Sequence, residues 1–297
     1  MEAGRKSGRR DGITGLALGA LLIFAGCGGS NATSTASTAE APNTTAAKVV
    51  TTSSTVAATT TSTTTVPMGV ADALPYFEAL GRQTEADFAL MASLAAPGSV
   101  AAMYAYHQER VYLARKQDCD CGKPSFATIS GDAIDYCEKS DCANLLNHFA
   151  DFEFVDGRLS SFTSVGRDMS TTLKTWPDDG ETECWSPSGG SCGGPASIDV
   201  TARSAYRAFG GTQWFTFDLV RGSGVAGSVT WISGAIDIDG KSFPISHEGN
   251  YMAPLDTGVS RVWAFELKDA PVGHATITMN FDLDGRPFGF EFDLGDV

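Results

Sequence analysis

The last hundred residues carry the pattern that most restricts the fold. Runs of alternating apolar and polar residues recur from Ile198 to Tyr206, Trp214 to Val220, Ser228 to Ile238, Ser242 to Ile245, Arg261 to Leu267, Ala275 to Leu283 and Phe288 to Leu294. A period of two turns one face of each run toward a core and the other toward solvent. Asp239-Gly240 and Asp284-Gly285 separate consecutive runs, and such pairs readily adopt the left-handed backbone of a tight hairpin turn. Gly222-Ser223-Gly224 marks a looser turn. Seven short strands in about 100 residues predict two antiparallel sheets packed face to face. No cysteine follows Cys192, so packing alone must hold this core.

In layout this stretch resembles the immunoglobulin-like modules of many bacterial surface lipoproteins. Phe215, Phe217 and Leu219 share one face of their run, which places Trp214 on the other. With Ile232, Ile236 and Ile238 read as core, Trp231 also faces outward. Outward tryptophans on a sandwich suit stacking on sugar rings, so Trp214 and Trp231 are the candidate ligand-binding residues. Asn280, Asp282, Asp284, Gly285 and Glu291 have the spacing of a calcium-binding EF-hand loop, but the flanking residues alternate as strands where that loop needs helices. The expectation is a hairpin.

The preceding part reads differently. Leu74, Phe77, Phe88, Met91 and Ala95 fall at helical spacing, with Gly81 and Thr84 on the same stripe, before Pro97-Gly98 ends the run. A second helix follows, capped by Ser99, with Val100, Met103, Tyr104, His107, Val111 and Ala114 on its apolar face. His107 among core residues reads as packed and hydrogen-bonded. A shorter helix is expected over Asp141 to Phe149, then a hairpin around Asp156-Gly157. Helices leading into a hairpin are compatible both with a cone-shaped helix-plus-curved-sheet fold and with a small independent α+β unit. The fold class is therefore α+β, with a helical α+β domain at residues 68–195 and an all-β immunoglobulin-like sandwich at residues 196–297.

Six cysteines, Cys119, Cys121, Cys137, Cys142, Cys184 and Cys192, lie in the first of these domains. Disulfides are the reading adopted, with Cys184 joined to Cys192 and the pair Cys119/Cys121 joined to Cys137/Cys142. Cys119 and Cys121 are too close in sequence to pair easily with each other. The competing reading is a zinc site made by the first four, whose Cys-x-Cys spacing is tighter than the two to four intervening residues usual for zinc.

The N-terminus says where the chain goes. Arg5, Lys6, Arg9 and Arg10 precede an apolar run from Ile13 to Ala25, about two-thirds of the roughly 20 residues a bilayer-spanning helix needs and suited to a cleaved export signal. The run ends in Ala25-Gly26-Cys27. This resembles the lipobox of bacterial lipoproteins, with Phe24 where that family usually has leucine. The resemblance implies that residues 1–27 are signal peptide and lipobox, and that Cys27 carries a diacylglycerol holding the protein on the extracytoplasmic face of the cell membrane. Arg9-Arg10 also loosely fits a twin-arginine signal. Residues 28–67 are dominated by Thr, Ser and Ala and form an expected disordered tether, about 35 Å across as a flexible coil.

The whole chain carries a net charge of −14, and −16 without the signal. Such a surface repels phosphate backbones, so nucleic acid is not an expected partner. No cofactor motif and no convincing metal motif stands out. Gly189-Gly190-Ser191-Cys192-Gly193 matches a nucleophile elbow in letters only, lacking the strand and helix that elbow needs. His247-Glu248 and His274 have no paired nucleophile. The chain therefore reads as a lipid-anchored, non-catalytic binding or structural protein for an envelope protein or glycan. The alternative is an extracytoplasmic hydrolase of wall or extracellular polymers using Asp132, Asp135 or Glu138, which would need carboxylates roughly 5 to 9.5 Å apart.

Overall fold

Three helices open the computed structural model, which describes residues 68–119, 124–247 and 250–297. They are α1 (Val70–Arg82), α2 (Glu85–Leu94) and α3 (Val100–Asp118). The expected export signal with Cys27, the expected tether over 28–67, Cys121 and Glu248 lie outside the described residues. The stripe from Leu74 to Ala95 belongs to two helices rather than one. Gln83 takes a left-handed conformation that ends α1, and the Thr84 side chain accepts the Asp87 amide at 3.2 Å to start α2. Ser99 caps α3 as expected, accepting the Ala102 amide at 3.2 Å.

Five strands follow and pair antiparallel in chain order: β1 (Phe126–Ser130), β2 (Ala133–Cys137), β3 (Leu145–Val155), β4 (Arg158–Ser164) and β5 (Arg167–Asp168). The β3–β4 turn is Asp156-Gly157, both with positive φ. The helix expected over Asp141 to Phe149 is not formed, because β3 begins at Leu145 and pairs with β2 on one side and β4 on the other. Ladder hydrogen bonds along two edges outweigh the weak helical preference of nine residues. Helix α1 lies on this sheet, with Phe77 stacked on Phe149 at 4.4 Å and edge-on to Phe162 at 5.2 Å. Gly81 allows the contact at the helix end, since a Cβ there would sit 2.3 Å from the Ser125 carbonyl oxygen.

The remaining strands form a two-sheet sandwich. They are β6 (Leu173–Thr175), β7 (Thr182–Trp185), β8 (Ile198–Arg207), β9 (Gln213–Arg221), β10 (Val229–Ile238), β11 (Lys241–Pro244), β12 (Ser260–Leu267), β13 (His274–Leu283) and β14 (Arg286–Asp296). One sheet runs β12-β9-β8, with β6 and β7 sharing the far edge of β8; the other runs β11-β10-β13-β14, and every pair is antiparallel. All seven alternating runs are strands, and the sequence that resembles a calcium loop is the β13–β14 hairpin. Two strands that precede residue 196 complete the first sheet. The core lies between the sheets, with Phe215, Phe217 and Phe265 facing Ile277, Phe281 and Phe292.

Helix α3 joins the parts. Ala101, Tyr104 and Ala105 face the five-stranded sheet, while Ala114 meets Val262 and Ala264 on the outer face of the sandwich. Alanine at these positions lets the helix approach the sheet closely. The Gln117 side chain accepts the Val262 amide at 2.8 Å, on the edge of β12 away from β9. The described residues form one compact unit.

Candidate functional site

The face of the sandwich under α3 is polar, and it is paired. His107 is 1% exposed and its Nδ1 lies 2.7 Å from Ser204 Oγ, which in turn lies 2.5 Å from Thr216 Oγ1. Burial pulls the His107 pKa down to about 3, so the ring is neutral and serves to hold the helix on the sheet. One turn on, Arg110 pairs with Asp218, whose other oxygen accepts Arg203 Nε at 2.9 Å.

Above His107 a cleft of about 510 Å³ opens between α3, the five-stranded sheet and the sandwich. Trp214 and Tyr251 form one wall, with ring planes 15° apart and centroids 6.2 Å apart. Gln83, Arg115, Tyr136, Glu138 and Asn147 line the opposite side. These groups are already ordered: Arg115 donates to Gln83 Oε1 at 2.5 Å, Gln83 Nε2 reaches the Tyr136 hydroxyl at 3.4 Å, and Asn147 Oδ1 accepts Ser164 Oγ at 2.8 Å. Burial raises the pKa of Tyr136 and pushes that of Tyr206 up to about 12. The cleft therefore presents neutral hydroxyls and amides, one guanidinium and one carboxylate, beside an aromatic wall.

Only one of the two candidate tryptophans belongs here. Trp214 faces out of the sandwich as expected. Trp231 does not: β10 carries a bulge between Trp231 and Ser233 that reverses the alternation, leaving Ile232 53% exposed and turning Trp231 inward. Its ring meets Trp263 at 5.6 Å and Phe281 at 5.5 Å, both edge-on. Gly234 makes room for it, since a Cβ there would lie 2.5 Å from a Trp231 ring carbon. The two tryptophans thus line separate concavities on opposite sides of one sheet.

The cysteine pairing also needs correction. Cys184 is joined to Cys192, but Cys137 is joined to Cys142 rather than to Cys119 or Cys121. The turn after β2 brings these two Cα atoms to 5.0 Å, inside the range a disulfide spans. Cys119 is disulfide-bonded as well. Cys184 and Cys192 lie close to Asp199, but their sulfurs are engaged with each other, and Asp199 accepts the Gly193 amide at 2.9 Å, closing the Gly-rich loop.

The acids named for hydrolysis are spread out. Asp132 sits exposed in the β1–β2 turn, Asp135 binds His148 at 2.7 Å on the face of β2 away from Tyr136, and Glu138 alone lines the cleft. Ser191 is exposed in the Gly-rich loop, and turns rather than a helix follow it. His274 contacts Asp293 at 2.8 Å on the surface. Sequence reasoning missed Tyr251, Gln83, Arg115 and Asn147. They come from four distant segments, and only the docking of α3 brings them together. Comparison with family models, curated proteins and solved structures finds no match to this chain.

Proposed function

We propose that this chain is a lipid-anchored protein of the extracytoplasmic membrane face that binds an envelope glycan in the cleft beside α3. The observation that carries the reading is the Trp214 and Tyr251 wall facing ordered amides, tyrosine hydroxyls and Arg115. A pyranose ring has an apolar face and a hydroxyl rim, and this combination satisfies both, stacking on one side and hydrogen bonding on the other. A protein partner would favour a broad, flat patch with a dry centre, which a narrow cleft lined by polar groups does not offer. The sandwich order supports the immunoglobulin-like assignment: β8, β9 and β12 stand as the first, second and fifth strands of such a module, β10, β13 and β14 as the third, sixth and seventh, and β11 as the extra strand beside the third. In this reading the module carries the cleft, and the 28–67 tether holds it off the bilayer.

The test is co-sedimentation of the exported protein with isolated cell-wall polymer, with and without Trp214→Ala. Pelleting that falls at least tenfold in the variant supports the reading. Equal pelleting of both proteins contradicts it, as does capture by a protein fraction alone. Mass spectrometry of the membrane-extracted protein tests the anchor, which requires a diacylglycerol-modified Cys27 at the new N-terminus.

A further inference from the structure

A second concavity, on the inner side of the same sandwich, has different chemistry. It holds about 440 Å³ and is lined by Val229, Trp231, Met252, Leu255, Trp263 and Phe281, with Thr230 and His247 at its exposed mouth. That volume is in the range of sites that bury a whole small ligand, roughly 300–1,000 Å³. We propose that it is a binding pocket for one uncharged aliphatic chain, such as the acyl tail of a neutral lipid.

Three observations support this. First, the pocket is built rather than left over. The bulge at Ile232 and the missing Cβ of Gly234 are what turn Trp231 into the wall. Second, the opposite wall is pinned open. The segment 250–255 runs along the edge of β12 away from β9, where Tyr251 pairs with Ala264. Trp263 Nε1 donates to the Ala253 carbonyl at 2.9 Å, and Arg221, only 3% exposed, donates to the Leu255 carbonyl at 3.1 Å. These bonds fix Met252 and Leu255 before any ligand arrives, so little ordering cost falls on binding. Third, the interior lining side chains are apolar apart from two indole N–H groups, and that of Trp263 is already used by the Ala253 carbonyl, which leaves at most the Trp231 donor. A sugar or a peptide backbone entering here would lose more hydrogen bonds to water than one indole N–H could replace. An aliphatic chain loses none, and the acidic chain disfavours an anionic headgroup at the mouth.

The proposal does not depend on the cleft, because Trp214 and Trp231 belong to different concavities. It is tested with the exported full chain carrying Cys27→Ser, so that no lipid of its own is attached. The probe is a monoacylglycerol brominated at mid-chain, whose bromines quench only tryptophans in contact with them. Saturable quenching is expected, weakened at least tenfold by Met252→Glu and by Thr230→Trp, and unchanged by Trp214→Ala. Thr230 is exposed at the mouth, so its variant closes the pocket without disturbing the core, which guards against misfolding of Met252→Glu. Quenching that does not saturate, that both pocket variants leave intact, or that Trp214→Ala abolishes would overturn the proposal.

Discussion

His107 and Trp231 show what single side chains decide in this molecule. His107 is buried neutral, and an unfolded histidine titrates near 6.5. Between about 6.5 and about 3 the unfolded chain therefore binds a proton that the folded chain does not, and stability falls as the pH is lowered through that window. From pH 6.5 to 5 the loss from this group is roughly 2 kcal/mol. Urea midpoints at pH 7 and pH 5 will show it, and His107→Gln will flatten the difference while lowering the midpoint at pH 7; an unchanged slope would show that the ring does not titrate as buried. Gly234→Ala pushes a methyl into the Trp231 ring and should cost about 1–3 kcal/mol, read as a lower melting temperature. The packed character of His107 was legible from its place in an apolar stripe. The inward turn of Trp231 was not, because a bulge adds a residue to one strand without any mark in the alternation that precedes it.

At the scale of elements, legibility followed how local the determining signal is. The seven alternating runs, their Asp-Gly turns and the Ser99 cap depend on neighbours within a few residues, and all were readable. The break at Gln83 and the strand nature of 145–149 depend on what these residues pack against, and were misread. The short disulfide loops are elements of the same kind. Cys137 with Cys142 and Cys184 with Cys192 close loops of five and eight residues in sequence separation, for which chain entropy gives about 2 to 3 kcal/mol each. Peptide mapping without reduction should recover both pairs. Double replacement of Cys184 and Cys192 by serine should lower the denaturant midpoint by an amount in that range, and should loosen the edge where β7 joins β8. A mapped bridge from Cys137 to Cys119 would contradict the β2 turn described above.

At the scale of the whole molecule, helix α3 is the organising element. It is buried on two sides, joining the five-stranded sheet to the outer face of the sandwich through His107, Arg110, Ala114 and Gln117. The cleft exists only because this docking places Gln83, Arg115 and Asn147 opposite Trp214 and Tyr251. No local pattern encodes that meeting, which is why Trp214 could be picked from the sequence while its partners could not. Residue 251 faces the cleft and residue 252 the apolar pocket, so one short segment lines both concavities with opposite chemistry. Glycan binding in the cleft would rest on its aromatic wall. Calorimetric titration of soluble wall-glycan fragments into the purified protein is the sharpest test. Enthalpy-driven binding is expected, weakened at least tenfold by both Trp214→Ala and Tyr251→Ala and unaltered by Thr230→Trp at the exposed mouth of the other pocket; binding that survives both cleft variants, or none in the unmodified protein, would overturn the glycan reading.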